Sequence, residues 1–408
     1  MLGGHDGAEP LQIDEKEFEN NPHALYDVLR TEAPVREIIA PGGTKVWLVT
    51  RYDDAKAALT DARLSKDIEI GQKVIQRNTT GEAGGMVFAA ELAAHMMNTD
   101  PPDHTRLRKQ VNKVFTMRAV EKLGPRIEET ATGLLDAMEG QDQVDLMQAF
   151  AYPLPMAVIC ELLGVPADDR ERFQGWVPTQ LSGGDPESMA QATMSLVGYL
   201  HELVESKRSD PADDLLTGLV RSSDDGKLNT QELVSMAFLL LVAGHETTVN
   251  LIGNGMFALL RHPDQFAALR ADRSLLPGAI EEFLRYESPV NTSSLRFTTE
   301  PTELGGVVIP EGELVVVALT SANRDESQFP DGSSLNVCRQ SSGHLSFGHG
   351  IHYCIGAPLA RVEAQIAFDR LMDRFPNIRL AADPADLQWQ PGTALRGLKT
   401  LPVWLRAE

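Results

Sequence analysis

The sequence predicts a mainly helical protein with a small β region. Three observations carry that prediction. Apolar residues recur with helical periodicity over most of the chain, β-rich pieces are short and lie near its two ends, and no regular strand–helix alternation builds a doubly wound sheet. The helical stretches, in order, are PHALYDVLRTEA (22–33), TRLRKQVNKVF (105–115), PRIEETATGLLDAM (125–138), MAQATMSLVGYLHELVESKR (189–208), TQELVSMAFLLLVAGHETTVNLIGNGMFALLR (230–261) and PLARVEAQIAFDRLMDRF (358–375). The β-rich pieces are KVWLVT (45–50), GGVVIP (305–310), ELVVVAL (313–319) and LPVWL (401–405). The loop-like stretches LSGGDPES (181–188), RSDPADD (208–214) and SSDDGK (222–227) are short and lie between helical patterns. Nothing resembles a linker or a repeat, so one domain over residues 1–408 is expected.

Charge and composition narrow the partners. The chain carries 37 Lys and Arg against 58 Asp and Glu, a net charge of -21, which repels phosphate backbones and argues against nucleic acid. Its start, MLGGHDGAEPLQIDEKEFEN, is polar and acidic, unlike a signal peptide or a membrane anchor. The most apolar segment, LVSMAFLLLVAG (233–244), is too short to span a bilayer and reads as a buried core helix. Cys160, Cys338 and Cys354 are odd in number and form no CxxC pair, which argues against a disulfide framework or a cysteine-rich zinc site. A reducing cytoplasm is the expected compartment.

The stretch FGHGIHYCIGAPLAR (347–361) places a cysteine among glycines and histidines. One reading is a Gly-rich loop around a buried free cysteine. A dinucleotide fingerprint fails, because Tyr353 stands where a third glycine is needed. The sharper reading starts from Pro358 and the apolar periodicity after it, which put a helix start just beyond Cys354. Free N–H groups and the positive dipole end there favour a thiolate over a thiol. Gly348 and Gly350 let the loop adopt backbone conformations closed to other residues. A lone anionic sulfur held in this way suits one axial position of a haem iron.

In LLLVAGHETTVNLIG (239–253) an otherwise apolar helix carries Glu246 and Thr247 near its middle. A carboxylate there is costly unless paired or hydrated, so its placement points to function unless that face is turned to solvent. Gly244 would let a planar ligand approach the backbone, and the Thr247 hydroxyl can bond the carbonyl four residues back.

The pattern F-G-x-G-x-H-x-C-x-G is filled by Phe347, Gly348, Gly350, His352, Cys354 and Gly356, and it resembles the haem-binding loop of the cytochrome P-450 monooxygenases. Ala243 to Thr248 resembles the oxygen-binding segment of the same family. The resemblance covers nearly the whole chain and is nearest to soluble bacterial members, especially actinomycete hydroxylases of macrolides and similar secondary metabolites. It implies the cytochrome P-450 fold, with haem b between the long distal helix and the cysteine-loop helix and Cys354 as its axial ligand. It further implies that Thr247 hydrogen-bonds dioxygen at the haem and that Glu246 relays protons from water. His104, Arg108, Arg296 and His352 match the positions that the family uses for the haem propionates, which need cations in a partly buried site. Glu282 and Arg285 match its E-x-x-R element, joined by Arg339 from a coil that has Leu335 and Asn336 where Phe and Asp are common.

By family position the substrate pocket includes Val87 and Phe88, Leu240 and Ala243, Val290 and Asn291, and Ala394 and Leu395. The segment from Phe173 to Tyr199 would form a lid. The implied activity is hydroxylation or epoxidation of a bulky lipophilic compound, a macrolide, terpenoid or sterol-like skeleton. Dioxygen would supply the oxygen, and a ferredoxin with its reductase would supply two electrons to a monomeric enzyme. Docking of that partner would use Arg106, Lys109 and Lys113. A peroxide-driven haem oxygenase and a non-catalytic haem protein for gas binding or electron transfer are the alternatives. The Glu246–Thr247 pair speaks against both.

Overall fold

A computed structural model of the chain describes residues 9–80, 90–169 and 186–406. Its contacts divide into two compact units. The first comprises Met1–Val87, Asn250–Cys354 and Pro376–Glu408, and the second Phe88–Val249 and Ile355–Phe375. The units interleave along the chain, so no single cut separates them.

The first unit is built on a six-stranded sheet. Its strands run Leu11–Gln12, Val35–Ala40, Thr44–Val49, Leu314–Val317, Arg296–Thr298 and Leu64–Ser65 across the sheet. Val35–Ala40 and Thr44–Val49 pair antiparallel through a hairpin whose turn holds Gly42 and Gly43 at φ 86° and 80°. Only glycine takes that conformation cheaply, and a Cβ on Gly43 would lie 2.4 Å from the Thr80 carbonyl oxygen. Leu314–Val317 joins Thr44–Val49 in parallel, with Trp47 opposite Val315 and Val49 opposite Val317.

Alternation along these strands fills two cores. Val49, Val315 and Val317 pack with Tyr52, Leu59 and Phe329 on one face. Val46, Leu48, Leu314 and Val316 pack with Phe18, Tyr26 and Leu29 on the other. All four β-rich pieces expected from sequence become strands, the first shifted by one residue to Thr44–Val49 and the others trimmed to Val307–Ile309, Leu314–Val317 and Pro402–Trp404. Val35–Ala40 escaped notice because Arg36 and Glu37 interrupt its apolar run. Arg36 is nevertheless buried and donates to the Glu9 carbonyl at 2.7 Å.

The second unit is helical. Met117–Met138 packs along Ala357–Arg374, and ion pairs from Arg374 to Asp136 (2.6 Å) and Glu139 (2.9 Å) fasten their ends. The first of these helices starts eight residues earlier than its pattern suggests and carries Pro125 inside it, with Thr116 capping its first turn. Leu215–Asp224 crosses Asp103–Val114 so closely that a Cβ on Gly218 would lie 2.4 Å from Val114.

Thr230–Arg261 is one helix of 32 residues, matching its periodicity end to end. The apolar segment 233–244, too short by itself to span a bilayer, is therefore part of a helix long and apolar enough to cross one. Two-thirds (67 %) of its most apolar window is buried inside the protein, which is how a core helix behaves. Of the expected lid, residues 173–185 lie outside the described residues, and the remainder belongs to the helix Pro186–Ser209.

Candidate active site

The cysteine loop is held by its own backbone and by one asparagine. Asn323 donates to the Ser346 hydroxyl (2.8 Å) and accepts from the Leu345 N–H (2.6 Å), while Ser346 donates to the Leu284 carbonyl (2.7 Å). Beyond that clamp, Gly348 and Gly350 sit at φ 71° and 73° and turn the chain through the short helical turn Gly350–His352. A Cβ on Gly350 would lie 2.9 Å from the Thr60 methyl group. The Cys354 N–H closes the loop on the Phe347 carbonyl at 2.8 Å.

Cys354 is exposed, so the buried-cysteine reading fails; the buried cysteine is Cys160. The helix Ala357–Arg374 begins three residues further on, with Pro358 in its first turn as expected. Among the described residues no group of three or more His, Cys, Asp or Glu side chains could hold a bare metal ion. The described residues around Cys354 thus suit a metal that brings its other ligands with it, as a porphyrin does.

The other candidate segment lies on the helix Thr230–Arg261. Leu239, Leu240, Leu241, His245, Glu246, Thr248 and Val249 are buried, whereas Ala243 is exposed and Thr247 half-buried, one turn apart. The buried helix thus opens from Val242 to Gly244 and again at Thr247. Thr247 donates its hydroxyl to the Ala243 carbonyl at 2.8 Å, the back-bond its position predicts. Glu246 is 8 % exposed, and burial pushes its carboxyl up to about 7.

Gly244 has a protein neighbour that the sequence did not name. A Cβ there would lie 2.7 Å from the Ile159 side chain, so the glycine admits the helix Pro153–Leu163.

Of the four expected propionate partners, His104 (buried) and Arg108 (half-buried) share one face of Asp103–Val114 in the second unit. Arg296 (buried, opposite Val315) and His352 (half-buried) belong to the first. Arg106 is not free to dock a partner. It bridges Asp103 (2.9 Å) and Glu232 (2.5 Å) and donates to the Lys227 carbonyl (3.1 Å). Lys109 and Lys113 remain exposed, the latter donating to Gln110.

Glu282, Arg285 and Arg339 come together as expected. All five Arg285 guanidinium N–H groups are used, on both Glu282 oxygens (2.7 and 2.9 Å) and on the carbonyls of Asn323, Gly332 and Ser334. Arg339 adds a contact to Glu282 at 3.3 Å and donates to the Pro330 and Asp331 carbonyls. The Leu335–Asn336 departure is absorbed locally. Leu335 is buried, while Asn336 donates its N–H to Glu282 (2.9 Å) and accepts from the Cys338 N–H (3.0 Å).

Four of the eight expected pocket residues meet. Val290 bridges to Leu395, and the Asn291 N–H donates to the Ala394 carbonyl at 2.8 Å. The Asn291 side chain, however, faces inward. Its oxygen accepts from Tyr26 and Thr320 and its amide donates to Thr393, so it braces the wall instead of reading a ligand. Leu240 is buried and Ala243 exposed. Val87 and Phe88 lie outside the described residues.

Sequence reasoning passed over His245, whose ring lies 6.1 Å from that of Tyr152. It also missed the buried knot in which Glu287 receives His23, Arg324 and Arg396. A histidine beside the acid is a weak signal in a linear sequence, and the knot joins residues 23 to 396.

A family model described as Cytochrome P450 matches residues 185–383. The chain is 52 % identical to Cytochrome P450 107B1 of Saccharopolyspora erythraea, covering 95 % of each chain. It is 46 % identical to the vitamin D(3) 25-hydroxylase of Pseudonocardia autotrophica, covering 97 % of each. Among solved structures, the tirandamycin C-bound P450 monooxygenase TamI superposes with a TM-score of 0.91 at 48 % identity, over 97 % of this chain and 100 % of that one.

Proposed function

The chain belongs to the cytochrome P450 family, and from that premise we propose that it hydroxylates or epoxidises a bulky lipophilic small molecule, with Cys354 as the axial ligand of its haem. It is a monooxygenase, and its cofactor is haem, iron protoporphyrin IX. When bound, the haem supplies the activation of dioxygen and its insertion into a carbon–hydrogen or carbon–carbon double bond; the protein supplies ligation, protons and positioning.

Cys354 would hold the haem metal through its sulfur, and the turn pinned by its N–H on the Phe347 carbonyl fixes the backbone that carries it. Phe347, Gly348 and Gly356 shape the turn, and His104, Arg108, Arg296 and His352 would neutralise the two propionates. Thr247 holds a hydroxyl at the opening of its helix, and Glu246, titrating near neutrality, takes up and releases a proton there. An acid–alcohol pair of this kind favours dioxygen as oxidant over peroxide. Electrons come from a ferredoxin and its reductase in the cytoplasm.

The relatives support the substrate class. One is named as a hydroxylase of vitamin D(3), a lipophilic secosteroid, and one similar structure holds tirandamycin C. Val290 and Leu395, paired across their bridge, supply apolar wall. A macrolide, terpenoid or sterol-like skeleton is the expected substrate.

The observation that carries the ligand assignment is the exposed cysteine on a loop pinned by its own backbone. Cys354→Ser should abolish the red-shifted carbon monoxide spectrum of thiolate-bound ferrous haem. A variant that keeps that spectrum refutes the assignment.

A further inference from the structure

Resting on the proton-relay reading of Glu246, we propose that His245 is the positioning residue of that relay. Its Nδ1 lone pair accepts a hydrogen bond from the protonated Glu246 carboxyl and holds the acid in place between turnovers.

Two incomplete groups lie side by side. The His245 ring is 2 % exposed and packs against Tyr152. Nδ1 is buried without a hydrogen-bond partner, and in the Nε2–H tautomer it is an acceptor with no donor. That tautomer presents one lone pair, at Nδ1, and that atom lies 3.8 Å from Glu246 Oε2.

Among the described residues Glu246 makes no other ion pair. A protonated carboxyl has one hydrogen to give, and a buried acceptor lacking a donor is costly to leave so. A side-chain torsion closes the remaining gap of ~1 Å to hydrogen-bond distance. The proton stays on the acid, because burial pulls the imidazole down to about 4 while it pushes the carboxyl up to about 7. Swinging back toward Thr247, the next residue along, the same carboxyl delivers its proton where the helix is open.

The test is the infrared carbonyl stretch of the protonated Glu246 carboxyl in the resting holoenzyme, recorded at about pH 6 and assigned by its loss in Glu246→Gln. Wild type should show a band lowered by hydrogen bonding. His245→Asn puts an amide oxygen where Nδ1 stands and should keep that position. His245→Phe keeps the ring without the lone pair, and should move the band to the higher, unbonded position.

In parallel, the share of reducing equivalents lost as peroxide should rise roughly two- to tenfold in His245→Phe and return toward wild type in His245→Asn. An unbonded band, or none, in wild type overturns the proposal without need of any His245 variant, and so does a band unmoved by His245→Phe. If Glu246→Gln leaves coupling to product unchanged, the relay reading fails instead, and the band still decides the hydrogen bond.

Discussion

Glu282 and Glu246 are both buried glutamates on helices, and their surroundings treat them oppositely. The Glu282 side chain is fully buried and receives Arg285 twice, Arg339, Ser341 and the Asn336 N–H. Glu246 has His245 Nδ1 at 3.8 Å and titrates near neutrality. The residue type and the burial are shared; the donors are not. A carboxylate whose oxygens are filled with charged donors is a structural element, because removing any one donor strands a buried charge. A carboxyl without them is neutral part of the time, and only such a group moves protons at working pH. Glu363 shows that lack of donors is not by itself a function. It is 1 % exposed, its Oε2 has no partner, and burial holds it well above the carboxylate range as a neutral acid in the core.

The largest effect should come from breaking the satisfied acid. Arg285→Lys offers three donors where five acceptor contacts exist, and cannot span both Glu282 oxygens in one plane. We expect a loss of about 3–5 kcal/mol in denaturant unfolding, with haem loading falling alongside. A loss under about 1 kcal/mol would mean that the surrounding carbonyls do not depend on the guanidinium, and the contrast with Glu246 would dissolve.

Glu246→Gln should act in the opposite direction on stability. A carboxyl raised from 4.5 to about 7 on folding binds its proton more tightly in the native state. Its contribution is therefore complete below about pH 4.5 and is lost as pH rises to about 7. The amide carries no charge to desolvate, so at about pH 8 the variant should be more stable than wild type, by at most about 3 kcal/mol, with no difference of that origin below about pH 4.5. Product formed per electron pair should fall at the same time. Equal stability at both pH values would show that Glu246 is solvated in the native state, against its burial.

How much of this was legible in the sequence follows from how local each signal is. The helix Thr230–Arg261 and the start of Ala357–Arg374 are written in contiguous periodicity and in Pro358, and both come out nearly residue for residue. The cysteine loop was legible because its glycines need positive φ within seven residues of the sulfur. Val35–Ala40 was not, since its charged residues are accommodated by a distant carbonyl. Gly244 was seen, but its protein neighbour was not. A missing Cβ marks a close approach without naming what approaches, and Ile159 lies 85 positions away in the chain. Asn291 likewise gave no sign in sequence that Tyr26, Thr320 and Thr393 would consume its side chain.

The smallest effect tests whether burial, and not the mere pairing of charges, separates these cases. Arg106 contacts two carboxylates where Arg285 contacts one, but its side chain is 40 % exposed. Water already solvates such a pair and salt screens it, so Arg106→Gln should cost only about 0.2–1 kcal/mol and less at high ionic strength. Its charge is also spent internally on Asp103 and Glu232, which predicts that electron transfer from the redox partner is unchanged in this variant. Lys109→Glu, on an exposed position of the same helix, should slow that transfer and flatten its salt dependence. Stopped-flow reduction at two ionic strengths separates the two. If Arg106→Gln instead destabilises as much as Arg285→Lys, the number of charged partners sets the energy, and the difference in burial between the two arginines explains nothing.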